Sequence, residues 1–221
     1  MWFRPFAAAL LVLCACTVGA PARPLHYVAI GASDSVGIGA SDPKTKSWPA
    51  LVAARLPAGT VYSNFGVSGS TVAQAISEQL PKATAADPDV ITVWLAFNDL
   101  AHAIPPATYR ADLARLLQAL LKTRATIFVG DLPDLRGVPA TAGIDRTLLA
   151  AAVDAYNAQI AAAVKDAGSR VTLVDLSSGS ADVIARELVV SADGLHPNDL
   201  GYQRIAERFA DTMRKAGVPM T

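Results

Sequence analysis

From residue 25 onward, short apolar runs alternate with longer stretches in which apolar side chains recur every three to four positions. The short runs are Tyr27 to Gly31, Val61 to Phe65, Val90 to Ala96, Thr126 to Gly130 and Val171 to Asp175, and most are apolar at consecutive rather than alternate positions. Strands of that kind bury both faces, which is the habit of parallel sheets covered by helices on either side. Between the runs, Tyr109, Leu113, Leu116, Leu117, Leu120 and Leu121 form one helical stripe, and Leu149, Ala152, Val153, Tyr156 and Ile160 form another. Each predicts an amphipathic crossover helix. A last helix is predicted after Pro197, with Asn198 as its cap, Asp199 favourable to its N-terminal dipole, and Tyr202, Ile205, Ala206, Phe209 and Met213 as its inner face. The regular alternation, uninterrupted by repeats or low-complexity tracts, predicts one α/β domain over residues 25–217: a three-layer sandwich around a mainly parallel five-stranded sheet.

Residues 1–22 break the pattern. Arg4 precedes an apolar stretch from Phe6 to Cys16, followed by small residues through Ala22. This is the form of a secretory signal peptide, cleaved after Ala22, and the stretch is shorter than the roughly 18–20 residues that cross a bilayer. Leu13-Cys14-Ala15-Cys16 also resembles a lipoprotein box, in which Cys16 would carry a lipid anchor. The expectation is an exported protein, periplasmic or secreted or lipid-anchored, with no transmembrane segment. Both cysteines lie in this leader, so the remaining domain has no thiol and no disulfide. Lys+Arg and Asp+Glu each total 19 and neither sign forms a run, which disfavours a nucleic-acid partner. The three histidines are dispersed and no phosphate-binding Gly-x-x-x-x-Gly-Lys loop is present, so no metal and no cofactor are expected.

In such sheets ligands gather beyond the carboxyl ends of the strands. Four polar places follow predicted strands or precede the last helix: Ser33-Asp34-Ser35, Gly66 to Ser70, Asn98-Asp99, and Asp193 to His196. Together they hold the parts that acyl transfer to a serine requires: a nucleophile, an imidazole base, a carboxylate to orient it, and donors for an oxyanion. Ser35 is the candidate nucleophile, in a glycine-rich turn that lets the backbone leave the strand sharply. Gly69 brings an amide without a side chain in the way, and Asn98 adds a side-chain amide. Asp193 and His196 are spaced so that the carboxylate folds back onto Nδ1 and leaves Nε2 for the serine. Asp34 is expected to cap a helix or bond nearby backbone. Asp99 and His102 repeat the Asp-x-x-His spacing after a strand, and His26 sits at the opposite end of the sheet.

These four blocks, in this order and over nearly the whole chain after the leader, resemble the SGNH hydrolase superfamily of GDSL-type esterases and lipases. The resemblance implies a flavodoxin-like sheet and a serine esterase, with Ser35, Asp193 and His196 as triad and Ser35, Gly69 and Asn98 as oxyanion hole; it covers lysophospholipids, thioesters, aryl esters and acetylated sugars alike, and a small or lipid-like acyl group is suggested only by the apolar residues after the fourth strand. In that alignment Ser33 replaces the glycine that opens the first block, and Ala96 replaces the glycine of the third. Those replacements keep open a non-catalytic carbohydrate- or lipid-binding relative, and the same acyl-enzyme would also serve an acyltransferase. Leu132, Leu135 and Val138, in the segment from Asp131 to Gly143, are expected to wall an acyl pocket.

Overall fold

The computed structural model describes residues 23–186 and 188–221; the leader, with its cleavage site and Cys16, lies outside the described residues. Five strands form one parallel sheet in the order β2-β1-β3-β4-β5: β1 (His26–Gly31), β2 (Val61–Asn64), β3 (Val90–Trp94), β4 (Thr126–Gly130) and β5 (Val171–Val174). β1, β3 and β4 occupy the centre and are buried almost throughout, as their continuous apolar runs predict. β2 is the exception: it is an edge strand whose Val61 is exposed, so its apolar run does not report burial on both faces.

The sheet separates two apolar layers. Val28, Ile30, Ile91, Val93, Ile127 and Val129 face one side. There they meet α4 (Val72–Glu78), α5 (Leu80–Ala85), α7 (Pro106–Leu120) and α8 (Arg146–Ala167). Alternate positions, among them Tyr27, Ala29, Trp94 and Phe128, face α3 (Trp48–Ala53) and α10 (Asp199–Lys215). Trp48 stacks on Phe209 with ring centroids 4.3 Å apart and meets Trp94 edge-on, fixing these two helices against the sheet. The remaining helices are short: α1 (Ser33–Val36), α2 (Pro43–Lys46), α6 (Phe97–Ala101) and α9 (Ser180–Arg186).

By length and composition α8 is apolar enough to cross a membrane, a feature the sequence reading missed. Its stripe of Leu149, Val153, Tyr156 and Ile160 is nevertheless buried, and Tyr156 packs on Tyr109 of α7, as in a core helix. The cap of α10 forms as expected, with Asn198 Oδ1 accepting from the Gly201 amide at 3.1 Å.

Polar ties hold the carboxyl ends of the strands together. Gln79, fully buried, accepts from the Gly31 amide at 3.0 Å and donates to the Gly31 carbonyl at 2.9 Å and to Ser70 Oγ at 3.0 Å. One side chain thus joins the end of β1 to the loop after β2. At the other side, Asp131 Oδ1 accepts from the amides of Leu176 at 2.7 Å and Ser177 at 3.1 Å. Burial nevertheless pushes the Asp131 carboxyl up to about 6. The native state therefore holds this proton more tightly than the unfolded chain, whose aspartates titrate near 3.9, and stability declines as pH rises through that window. Asp131→Asn keeps the accepting oxygen and loses the charge. It is expected to raise unfolding stability by about 1–2 kcal/mol at pH 8 and by little at pH 4, as read from urea denaturation at both pH values.

Candidate active site

At Gly31 the chain leaves β1, turns at Ala32 and enters α1, whose last carbonyls are closed by Gly37 in the left-handed region at φ 93°. Ser33 is the first residue of that helix, so its side chain and its unbonded amide both lie at the carboxyl edge of the sheet. Ser33 Oγ lies 2.9 Å from His196 Nε2, and His196 Nδ1 lies 2.6 Å from Asp193 Oδ2. The structure brings Asp193 and His196 together as their spacing predicts.

It does not bring Ser35 to them. Ser35 is fully buried, and its Oγ has no hydrogen-bond partner among the described residues. Two residues along a helix is more than half a turn, so Ser35 faces away from Ser33 and into the molecule. A methyl group on Gly31 would sit 1.9 Å from Ser35 Oγ, and one on Gly66 would sit 2.9 Å from Ser35 Cβ. The two glycines are there to accommodate a buried serine. Aligning the chain on its Asp34-Ser35 pair therefore misplaces the first block by two residues. In the structural register Gly31, Ala32, Ser33 and Asp34 occupy the Gly-Asp-Ser-Leu positions. Ser33 no longer replaces a glycine; the departures are Ala32 for aspartate and Asp34 for leucine, and Ala96 remains in the third block. The signal was available in the sequence, since Ser33 stands closer to the end of the apolar run than Ser35 does.

Asp193 is held for its task by the loop that carries it. Its Oδ1 accepts from Ser191 Oγ and the Leu195 amide, each at 2.8 Å, and from the His196 amide at 2.9 Å. These bonds, the Leu195 amide foremost, hold the carboxyl well below the usual aspartate range. An ionised carboxylate can only accept, so Nδ1 carries the ring hydrogen and Nε2 is left to accept from the Ser33 hydroxyl. Val190 bridges to Pro197 across the loop, Ser191 donates its amide to the His196 carbonyl at 2.8 Å, and Gly194 adopts φ 77° at the turn.

The other two predicted residues lie beyond the carboxyl ends of β2 and β3. Gly69 adopts φ 79° with open space before its Cα. Asn98, the second residue of α6, donates from Nδ2 to the Ser70 carbonyl at 3.1 Å, tying itself to the loop that presents Gly69. Asn64, which the sequence reading left without a role, donates to the Ser35 carbonyl at 2.6 Å and accepts from the Gly66 amide at 3.0 Å, fastening α1 to the same loop.

Two other histidines stand apart. Asp99 is buried and accepts from the Val72 amide at the start of α4, while His102 is exposed, so the second Asp-x-x-His spacing forms no dyad among the described hydrogen bonds. His26 Nε2 lies 3.0 Å from Ser63 Oγ at the amino end of β1. Among the described residues no group of three His, Cys, Asp or Glu side chains is placed to hold a metal ion.

A cavity of about 150 Å³ opens beside Ser33 and His196. Its walls are mostly apolar: Leu132, Leu135 and Val138 from the segment after β4, Val183 and Ile184 from α9, and Ile205 from α10. Asp34, Ser180, Arg204 and Arg208 are the polar groups along it.

The family model described as GDSL-like Lipase/Acylhydrolase family matches residues 29–204. Among solved structures, TesA is 22% identical with a TM-score of 0.70, covering 86% of this chain and 99% of its own. LAE5, an alpha/beta hydrolase enzyme from the metagenome of Lake Arreo, Spain, is 20% identical with a TM-score of 0.70, covering 88% and 95%. A Clostridium thermocellum family 3 carbohydrate esterase is 23% identical with a TM-score of 0.66, covering 87% and 96%. These likenesses show a shared fold. No curated protein matches the chain.

Because the folded value of Asp193 is depressed, its contribution to stability is present above the ordinary aspartate range and is lost as pH falls through the folded value. Carboxyl carbon NMR is expected to find Asp193 titrating well below 3.9, with Ser191→Ala moving its midpoint upward as one donor is removed.

Proposed function

The chain belongs to the GDSL-like Lipase/Acylhydrolase family, and we propose that it is an exported serine hydrolase that cleaves carboxylic esters through an acyl-enzyme on Ser33. The observation that carries this reading is the unbroken path from Asp193 Oδ2 to His196 Nδ1 and from His196 Nε2 to Ser33 Oγ, at 2.6 and 2.9 Å. Export rests on the apolar leader at residues 1–22, with a lipid anchor on Cys16 as its variant.

In this mechanism Ser33 Oγ attacks the ester carbonyl carbon while His196 Nε2 takes its proton. Asp193 stays ionised, keeps the ring oriented and stabilises the imidazolium. The carbonyl oxygen becomes an oxyanion that the Ser33 and Gly69 amides and the Asn98 side chain receive. As the carbon–oxygen bond to the alcohol breaks, His196 returns the proton to the leaving oxygen. Water then attacks the acyl-Ser33 carbonyl with His196 again as base, releasing the acid and restoring the serine.

The apolar cavity beside Ser33 supports an acyl chain as the bound part of the substrate. The Clostridium thermocellum relative is a carbohydrate esterase. The lining of this cavity, with few polar groups to hold a sugar, favours the lipid-like alternative here.

Ser33→Ala is expected to abolish labelling by a serine-directed phosphonate and to lower turnover by about 10³-fold or more, whereas Ser35→Ala keeps both. Loss of labelling in Ser35→Ala alone would restore the other serine. Across p-nitrophenyl esters, kcat/KM is expected to rise from acetate to hexanoate by roughly 10- to 100-fold, as successive methylenes enter the cavity at up to about 0.8 kcal/mol each. A preference for acetylated polysaccharide over the longer esters would discard the acyl-pocket assignment.

A further inference from the structure

One polar group in the cavity takes no part in that reaction. Asp34 follows Ser33 in the first turn of α1 and lines the cavity beside Ser33 and His196, at the position where the Gly-Asp-Ser-Leu motif has leucine. Among the described residues it caps no helix, and the hydrogen bond to its carboxylate comes from its own amide rather than from another residue's backbone. The ionisable groups that act on it come from the loop before α10, where His196 favours its charge and Asp193 opposes it. Tyr202 of α10 also feels Asp34, but its hydroxyl already donates to the Ile38 carbonyl at 2.5 Å. Arg204 and Arg208 line the same cavity, where Arg204 pairs with Glu207 at 3.2 Å and Arg208 donates to the Ser178 carbonyl at 2.8 Å.

A carboxylate at a mostly apolar cavity, with no donor from another of the described residues, is a costly replacement for leucine, and its open acceptor sites are met by water or by whatever the cavity binds. A plain hydrocarbon chain displaces that water and gives nothing back. A chain with a donor at the right depth restores the bond, which is how a polar group in a pocket separates close analogues. We propose that Asp34 is a specificity-determining residue that selects acyl groups bearing a hydrogen-bond donor, a hydroxyl or an ammonium, within the first few carbons of the ester carbonyl. The inference rests on Ser33 as nucleophile and on the cavity as the acyl site. Burial, the largest influence on Asp34, pushes its carboxyl up to about 6, so it is mainly ionised near neutral pH and takes up its proton in mildly acid solution.

The test compares ethyl hexanoate with both enantiomers of ethyl 3-hydroxyhexanoate and of ethyl 3-aminohexanoate, on the wild type, Asp34→Leu and Asp34→Asn, with the released acid measured by chromatography and phosphonate labelling in parallel. The wild type is expected to favour a donor-bearing ester over the plain one, and Asp34→Leu to reduce that kcat/KM ratio by about tenfold or more. A preference for the hydroxy ester that survives in Asp34→Asn identifies a hydroxyl as the ligand. A preference for the amino ester that is lost in Asp34→Asn, and weakened in wild type at pH 5 relative to the plain ester, identifies an ammonium. Ratios unchanged in Asp34→Leu, or an equal fall in kcat for every ester, would overturn the inference, the latter by showing that Asp34 acts only through His196. If those ratios fail while the wild type still labels on Ser33, only this inference falls; a wild type that does not label overturns the serine hydrolase reading with it.

Discussion

The hydrogen bond between His196 Nε2 and Ser33 Oγ joins residues 163 positions apart in the chain, and much of the architecture serves to bring its two ends together. One end is set by β1. That central strand, buried from Tyr27 to Gly31, delivers Ser33 at the carboxyl edge of the sheet, and Gln79 holds Gly31 at its end by both its amide and its carbonyl. The other end is set by α10, whose inner face is clamped to the sheet by Trp48, Phe209 and Trp94. Between them the loop carrying Asp193 and His196 has little freedom, because Asp193 binds the loop's own amides with the oxygen it does not use for the imidazole. The orientation of the base is thus obtained from local backbone, before any substrate contributes.

Most of the fold was legible because burial on both faces leaves a plain mark. Val28 to Ile30, Val90 and Ile91, and Ile127 to Val129 are apolar at consecutive positions because helices cover the sheet on either side. The edge strand β2 was found by the same rule for a different reason, its apolar residues being partly exposed. Asp193 and His196 were legible because three residues and a following proline nearly determine their relation. The serine was not. Gly31-Ala32-Ser33-Asp34-Ser35 offers two hydroxyls two positions apart, and the choice depends on where the strand ends and the helix begins, a boundary that periodicity locates only to within a few residues. An error of two residues in a helix turns the side chain to the opposite face, so a small misplacement changed a cavity residue into a core residue. The structural roles of Gln79 and Asn64 were invisible for a simpler reason: nothing in the local sequence indicates which distant backbone an amide side chain will reach.

The aspartates that follow the strands separate structural need from chemical opportunity. Asp34 follows β1, Asp99 follows β3 and Asp131 follows β4, and burial raises each to about 6. Two of them compensate that burial by organising backbone. Asp99 receives the Val72 amide at the head of α4, and Asp131 receives the Leu176 and Ser177 amides beyond β5. Their carboxylates do what amides of the same shape would do in part, and their cost is offset by rigidity at the rim. Among the described hydrogen bonds, Asp34 accepts only from its own amide. A half-buried carboxylate that holds no neighbour in place keeps acceptor sites open to a bound group, and the cavity beside Ser33 is the space from which a donor can come.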